Sequence, residues 1–435
     1  MSGGRSFAIA EALLQSDKKG NYKKKKRVIG HLVRSVDGIV DKIDQVVIHF
    51  YRAPHSYTGE DVVEINCHGN PFLVGEIIDL LTGQGARLAQ PGEFTRRAYL
   101  NGKMDLLQAE AVIDLINAET FNARRCSFAQ LDGGLSNAIG NIRDGIKGVC
   151  AELEMDVDFS EEGMEIDRDR LIAELSKAEM TIGQMLDSFR LGKVVREGVH
   201  LVIVGRPNVG KSSLLNQLLR EDRVIVSDLP GTTRDAVEAH INIGGYLFRV
   251  TDTAGIRSGG DFIEAESVKR TLQIMQLADI FLMMLDNSEP LQPEDLEIFS
   301  LIKQYSDKRV VMALNKIDLT SQLQRDQLPE MGYGEPLRLC SKTGEGLQEL
   351  EKVLLHQCDM EGDHGALISR SRHHQALSRA LDGLNSAIGS LREKMSSEFV
   401  AFDLRRALDS LGEISGEVTS EEILETIFAN FCVGK

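Results

Sequence analysis

The chain has 435 residues, 42% hydrophobic and 27% charged, a globular composition that excludes disorder as the dominant state and suits roughly two to four domains. Acidic residues outnumber basic ones by 66 to 50, giving a net charge of −16, which excludes a generally basic nucleic-acid coat. The longest apolar run, Ile280 to Leu285, falls far short of the ~20 residues of a membrane helix.

Up to about residue 103, strand-like runs (Val46 to Tyr51, Val62 to Cys67) mix with helical stretches and the turn signal Pro91-Gly92, which predicts a small α+β domain. From Asp105 the period turns helical. Leu106, Ala109, Ile113 and Ile116 share one face, and Ile142, Ile146, Val149 and Leu153 share another. At His200 the rhythm breaks into Leu201-Val202-Ile203-Val204, a glycine-rich turn and a helix-like Leu214 to Leu219 segment. Further buried-strand candidates at Phe248 to Val250, Ile280 to Leu285 and Val310 to Leu314 alternate with helices, predicting a mainly parallel sheet covered on both faces. Beyond it Leu377, Leu381, Leu384, Ile388 and Leu391 recur at steps of four and three, and Leu404, Leu408 and Leu411 continue the pattern. The expected architecture is therefore multidomain: an α+β domain over 1–103, an all-α domain over 104–195 and 356–435, and an α/β domain over 196–355 inserted in it.

Gly205 to Ser212 reads G-R-P-N-V-G-K-S, a phosphate-binding loop between a strand and a helix. Backbone N–H groups from Asn208 to Ser213, including those of Val209 and Gly210, cradle phosphates there; Lys211 neutralises β/γ oxygens and the Ser212 hydroxyl ligates Mg²⁺. Asp252-Thr253-Ala254-Gly255 follows a strand, so its carboxylate can hold the Mg²⁺ shell and the glycine N–H can sense the γ-phosphate. Gly231-Thr232-Thr233-Arg234-Asp235 offers Thr233 as a second Mg²⁺ ligand. Asn315-Lys316-Ile317-Asp318 selects the base, because the Asp318 carboxylate can accept from guanine N1–H and the 2-amino group, donors that adenine lacks. Cys340-Ser341-Lys342 places the Ser341 N–H where it can reach guanine O6. The expected nucleotide is GTP with Mg²⁺.

These motifs, together with Ser56-Tyr57-Thr58-Gly59-Glu60-Asp61, Cys67-His68-Gly69-Asn70, Pro91-Gly92-Glu93-Phe94-Thr95, Lys103-Met104-Asp105-Leu106 and Phe431-Cys432-Val433-Gly434-Lys435, resemble the MnmE (TrmE) family of tRNA-modification GTPases over nearly the whole chain. The resemblance lacks the family's first strand with its proline/glycine turn and the Arg before Ser-Gly. It implies a folate-binding, dimerising N-terminal domain, a helical domain and an inserted Ras-like G domain. It also implies work with an FAD-dependent MnmG partner on C5 of the tRNA wobble uridine, building a carboxymethylaminomethyl or aminomethyl group. The one-carbon unit would come from a tetrahydrofolate derivative, 5,10-methylene or 5-formyl, at Glu64, Lys103 and Lys435. Where many GTPases have a water-orienting Gln, this chain has Ile256. The resemblance implies Glu264 in that role, though Glu266 lies close and spacing does not separate them. It implies K⁺ in place of an arginine finger, held by Asn208 and the segment with Ser227, Leu229 and Thr232, and pairing of two G domains during turnover.

Other features are expected to be bland. Cys432 has no activating neighbour beyond Lys435, His68 reads as a structural or pocket-lining imidazole, and His373-His374 reads as solvated. The Lys18 to Arg27 basic run reads as a solvated loop, with tRNA phosphates as the lesser reading. The six cysteines lack CxxC spacing and Met1 to Arg5 lacks a secretory h-region, so a reducing cytoplasm is expected. The rival function is an RNA-binding GTPase switch without modification chemistry, which would carry a KH-like GXXG module after the G domain, where this chain shows leucine-patterned helix.

Overall fold

The computed structural model describes residues 1–15, 26–36, 39–158, 167–220, 238–252, 272–305, 308–323, 328, 335–358, 367–432 and 434. They form two compact units, 1–113 with 409–435, and 114–408.

In the first unit, α1 (Ser6–Leu13) precedes β1 (Leu14–Gln15), β2 (Arg27–Val36), β3 (Ile39–Tyr51) and β4 (Val62–Asn66), an antiparallel sheet in chain order. Alternation decides its faces: Val46, Ile48 and Phe50 point into a core with Val28, Leu32 and Val63, closed by Phe7, Ala10 and Leu13 of α1. Residues 1–3 pair along the outer edge of β4, where the Met1 amino group donates to the Val63 carbonyl at 2.7 Å and Gly3 N–H to that of Asp61 at 2.9 Å. Helix α2 (Pro71–Gly83) starts cleanly because Asn70 accepts from Phe72 N–H and Pro71 sits where no N–H is needed. After α3 (Glu93–Leu100), the helix α4 (Leu106–Ile116) sets Leu106, Ala109 and Ile113 against Leu424, Phe428 and Phe431. The expected fourth member, Ile116, is instead 42% exposed. It shares the stripe but is the helix's last residue, past the end of that cluster.

The second unit opens with α5 (Phe121–Leu131), α6 (Gly134–Asp158), α7 (Arg168–Asp187) and α8 (Phe189–Glu197). Ile142, Ile146, Val149 and Leu153 are all buried, as their shared face predicts. Along the helices Ser371–Arg392 and Ser397–Ser415, Leu377, Leu384, Ile388, Leu391, Leu404 and Leu411 are buried, and Leu381 and Leu408 half-buried. The solvated reading of His373 is wrong: it is 2% exposed, because the buried stripe starts a turn earlier than its leucines show, at His373, Ala376, Leu377 and Ala380. Arg372 Nη2 donates to its Nε2 at 2.9 Å, and His374 packs on Phe189 with ring centres 4.5 Å apart.

Between these helices lies a six-stranded sheet of β5 (Val199–Val204), β6 (Glu238–Ile243), β7 (Tyr246–Asp252), β8 (Ile280–Asp286), β9 (Arg309–Asn315) and β10 (Leu337–Arg338), in the order β10-β9-β8-β5-β7-β6. All neighbours are parallel except the β6–β7 hairpin. Each face is buried in its own cluster: Leu201, Ile203, Phe248 and Val250 on one side, Val202, Val204, Phe281 and Met283 on the other. Burial on both faces explains the unbroken apolar runs. Among the described residues no helix is long and apolar enough to cross a membrane.

Candidate functional site

The strands of the parallel sheet end in polar residues, and those ends form the site. The loop from Gly205 leads directly from β5 into α9 (Lys211–Arg220). Gly210 has φ +105°, and a Cβ there would stand 2.1 Å from the Asn315 amide nitrogen, so only glycine lets the loop approach the end of β9 this closely. Lys211 is 5% exposed, its Nζ donating to the carbonyls of Gly205 at 2.7 Å and Arg206 at 3.0 Å, so the ammonium lies curled across the loop. Asn208 takes a left-handed conformation at φ +65° with an exposed side chain, while Val209 is fully buried. Ser212 and Ser213 are exposed at the start of α9.

Ser212 Oγ donates to Asp252 Oδ2 at 2.7 Å, bringing together the two oxygens that the motifs assign to magnesium. A hydroxyl and a carboxylate at a phosphate loop form a hard-oxygen donor set, which fits Mg²⁺. Asn315 joins the rest. Its Nδ2 donates to the Val209 carbonyl at 2.6 Å, and its Oδ1 accepts from Ser341 N–H and Oγ, both at 2.9 Å. One buried amide thus links the phosphate loop, the end of β9 and the Ser341 loop. Asp318 is exposed and accepts from the Cys340 thiol at 3.3 Å, and Lys342 is exposed too.

Two supports have no place in the motif reading. Lys316, at φ +64°, donates its Nζ to Asp286 Oδ2 at 2.5 Å. The other oxygen of Asp286 accepts from Ser288 N–H at 2.9 Å and Oγ at 2.6 Å. Burial pushes the Asp286 carboxyl up, yet the Lys316 and Ser288 hydrogen bonds outweigh it and hold the group below the usual carboxylate range. The neighbouring Asn287 donates its N–H to the Asn315 carbonyl at 2.9 Å. Arg206, in the phosphate loop, pairs with Glu289 at 2.5 Å and faces Asp295 at 3.4 Å. The only sequence signal for these was a pair of polar residues, Asp286-Asn287, directly after the apolar run. Ser227, Leu229, Thr232, Thr233, Thr253, Ala254, Gly255 and Glu264 lie outside the described residues, as does Lys435.

In the N-terminal unit, Glu64 is exposed on β4 and accepts from Tyr51 Oη at 3.1 Å, while Lys103 Nζ donates to the Pro54 carbonyl at 3.1 Å. Among the described residues no hydrogen bond or ion pair joins the two. His68 has the structural partner expected of it. It is 74% exposed and bonds Asp44 at 2.7 Å, because Asp44 on β3 faces the loop that follows β4. Cys432 is exposed, and its carbonyl accepts from Gly92 N–H at 3.4 Å. Beside that turn stands a carboxylate network without an assigned role. Glu93 accepts from Arg87 at 2.8 and 2.6 Å and from Arg97 at 2.5 Å, and Arg97 also reaches Glu60 at 2.8 Å. The Arg87 hydrogen bonds, helped against burial by Gln90 N–H and Arg97, hold the Glu93 carboxyl down at about 2.

The family model of the GTP-binding protein TrmE N-terminus matches residues 1–103, and that of the MnmE helical domain matches 106–432. The chain is 40% identical to the tRNA modification GTPase MnmE of Alkaliphilus metalliredigens, over all of this chain and 95% of that one. It is 42% identical to the protein of the same name from Thermotoga maritima, over 91% and 88% of the two chains. Among solved structures, Era of Aquifex aeolicus is similar at 29% identity over 42% of this chain and 66% of that one, with a TM-score of 0.30. With family matches along nearly its whole length and a relative aligned to all of it, the chain belongs to the MnmE (TrmE) family.

Proposed function

We propose that the protein is a GTPase that hydrolyses GTP to GDP and phosphate in the service of tRNA modification. The observation that carries this reading is the Asn315 knot, which sets the phosphate loop and the guanine-selecting segment on one frame. In the reaction a water attacks the γ-phosphorus and GDP leaves. Lys211 and the loop N–H groups stabilise charge on the phosphate oxygens, and Asp318 holds the base. Ser212 and Thr233 would hold Mg²⁺, with Asp252 holding its shell; when bound the ion neutralises the β- and γ-oxygens. Glu264 orients the water in the role that Ile256 cannot fill, and Asn208 with Ser227, Leu229 and Thr232 would hold K⁺, which when bound balances transition-state charge.

Family membership supports a wider reading. With a MnmG-type FAD protein, the enzyme builds the carboxymethylaminomethyl or aminomethyl group at C5 of the tRNA wobble uridine, in the cytoplasm. The one-carbon donor, a tetrahydrofolate derivative, binds near Glu64, Lys103 and Lys435. Residues 1–103 form the folate and dimerisation domain, 104–195 with 356–435 the helical domain, and 196–355 the G domain, which pairs transiently with a second copy.

Two measurements test the reading. GTP turnover should fall when Na⁺ replaces K⁺, and undiminished turnover rejects the potassium site. Mass spectrometry of wobble nucleosides after complementing a null strain should recover the modified uridine. GTP hydrolysis without recovery overturns the modification role.

A further inference from the structure

The sheet-bearing part of the second unit is entered from α8 and left at residues 367–370, and one carboxylate grips both crossings. Asp114, in the last turn of α4, has a side chain only 8% exposed. Its Oδ1 accepts from Arg196 Nε at 3.0 Å, and its two oxygens accept from Arg370 Nη2 at 2.8 and 2.9 Å. Arg196 stands three residues before β5, and β5 runs straight into the Gly205 loop. Arg370 is the residue at which the helix Ser371–Arg392 begins. The crossings also touch each other: a Cβ on Gly192 of α8 would lie 2.1 Å from the Ile368 carbonyl. Ser188 Oγ accepts from Ile368 N–H at 3.3 Å, and Gln130 Nε2 donates to the Leu367 carbonyl at 2.8 Å.

Apolar residues would close this junction at a lower desolvation cost than a carboxylate shared by two guanidinium groups. What the ionic arrangement adds is direction, because planar arginines lock to a carboxylate in few orientations. On its other side the junction borders a cavity of about 330 Å³ lined by Asp114, Arg196, Glu197, Leu247 and Arg249. Arg249 lies on β7 three residues before Asp252, whose carboxylate meets Ser212. Through Leu247 and Arg249, β7 therefore borders open space beside the junction, while Phe248 and Val250 stay in packed core.

We propose that Asp114 is a positioning residue for the modification reaction: by fixing both crossings to one point of the helical scaffold, it couples the nucleotide state of the site to tRNA modification. The inference rests on the function proposed above. A carboxylate that only stabilised the fold would, when removed, lower hydrolysis and modification together.

The full-length protein with Asp114→Asn and with Asp114→Glu tests this. In Asp114→Asn, GTP turnover stays within about twofold of wild type while wobble-uridine modification per GTP hydrolysed falls at least about tenfold, and Asp114→Glu recovers most of that ratio. A ratio equal to wild type in Asp114→Asn overturns the proposal, whether both activities persist or both fall. Hydrogen exchange of the same proteins with GDP and with GDP·AlF₄⁻ separates this inference from the function beneath it. Nucleotide-dependent protection at 114–120 and 367–370 should be present in wild type and lost in Asp114→Asn. Protection that persists in the variant overturns the coupling, while wild-type protein that shows the protection but modifies no tRNA overturns only the proposed function.

Discussion

The two sheets carry their polar groups in different places. In the parallel sheet both faces are buried, so chemistry is confined to strand ends: Gly205 follows β5, Asp252 ends β7, Asp286 ends β8 and Asn315 ends β9. In the antiparallel sheet one face is core and the other is open, and His49 and Glu64, paired in register, stand along the strands themselves. A strand-end site is written locally, as an apolar run followed by a motif. An open-face site draws every second residue from several strands and leaves no contiguous signature.

That contrast can be broken most sharply at the strand ends. Lys211→Ala removes the buried ammonium from the phosphate loop and should cut phosphate release from GTP about a thousandfold. Near-normal turnover would mean that the loop does not hold the γ-phosphate. Asp286→Asn leaves the motifs intact but loosens Lys316, and stopped-flow release of a fluorescent GDP should show affinity weakened about tenfold. An unchanged off-rate would reduce Asp286 to a packing residue.

On the antiparallel side the expected effects are on stability. The folded Glu93 carboxyl sits at about 2, below its unfolded value of 4.5, so its contribution is complete above 4.5 and is lost as pH falls from there towards 2. After allowance for solvent screening it amounts to about 1–2 kcal/mol. Glu93→Gln should therefore lower stability to urea at pH 7 by that amount and flatten its acid dependence, whereas parallel pH profiles for the two proteins would exclude the network as a stabiliser. The smallest effect belongs to Ile116→Ala, in the other unit, under about 0.5 kcal/mol because the side chain is already half in water. A thermal melt that drops like a core truncation would show that something covers Ile116 in solution.

The same contrast sets how much could be read from the sequence. β5, β7, β8 and β9 were legible because burial on two faces makes them apolar runs, and Gly205 to Ser212 or Asn315 to Asp318 because the residues of each motif are neighbours in the chain. β2 was not: His31, Arg34 and Ser35 break up its apolar residues, and its register slips between Leu32 and Val33. Glu64 and Lys103 stand out only by resemblance to relatives. His373 was misread because its buried stripe continues through alanines, which carry little hydrophobic signal. Asp286 to Lys316, Arg206 to Glu289 and Asp114 to Arg196 and Arg370 are partnerships across tens to hundreds of residues, and nothing local in either partner names the other.

The claim beneath all of this is that the end of β9 and its loop choose a guanine nucleotide for the phosphate loop. Competition binding of GTP, ATP and XTP to wild type and to Asp318→Asn measures it directly. Wild type should prefer GTP by at least about a hundredfold, and the variant, whose amide now donates where the carboxylate accepted, should move that preference to XTP. Adenine nucleotides bound as tightly as guanine ones, or a preference that survives the substitution, would contradict the account.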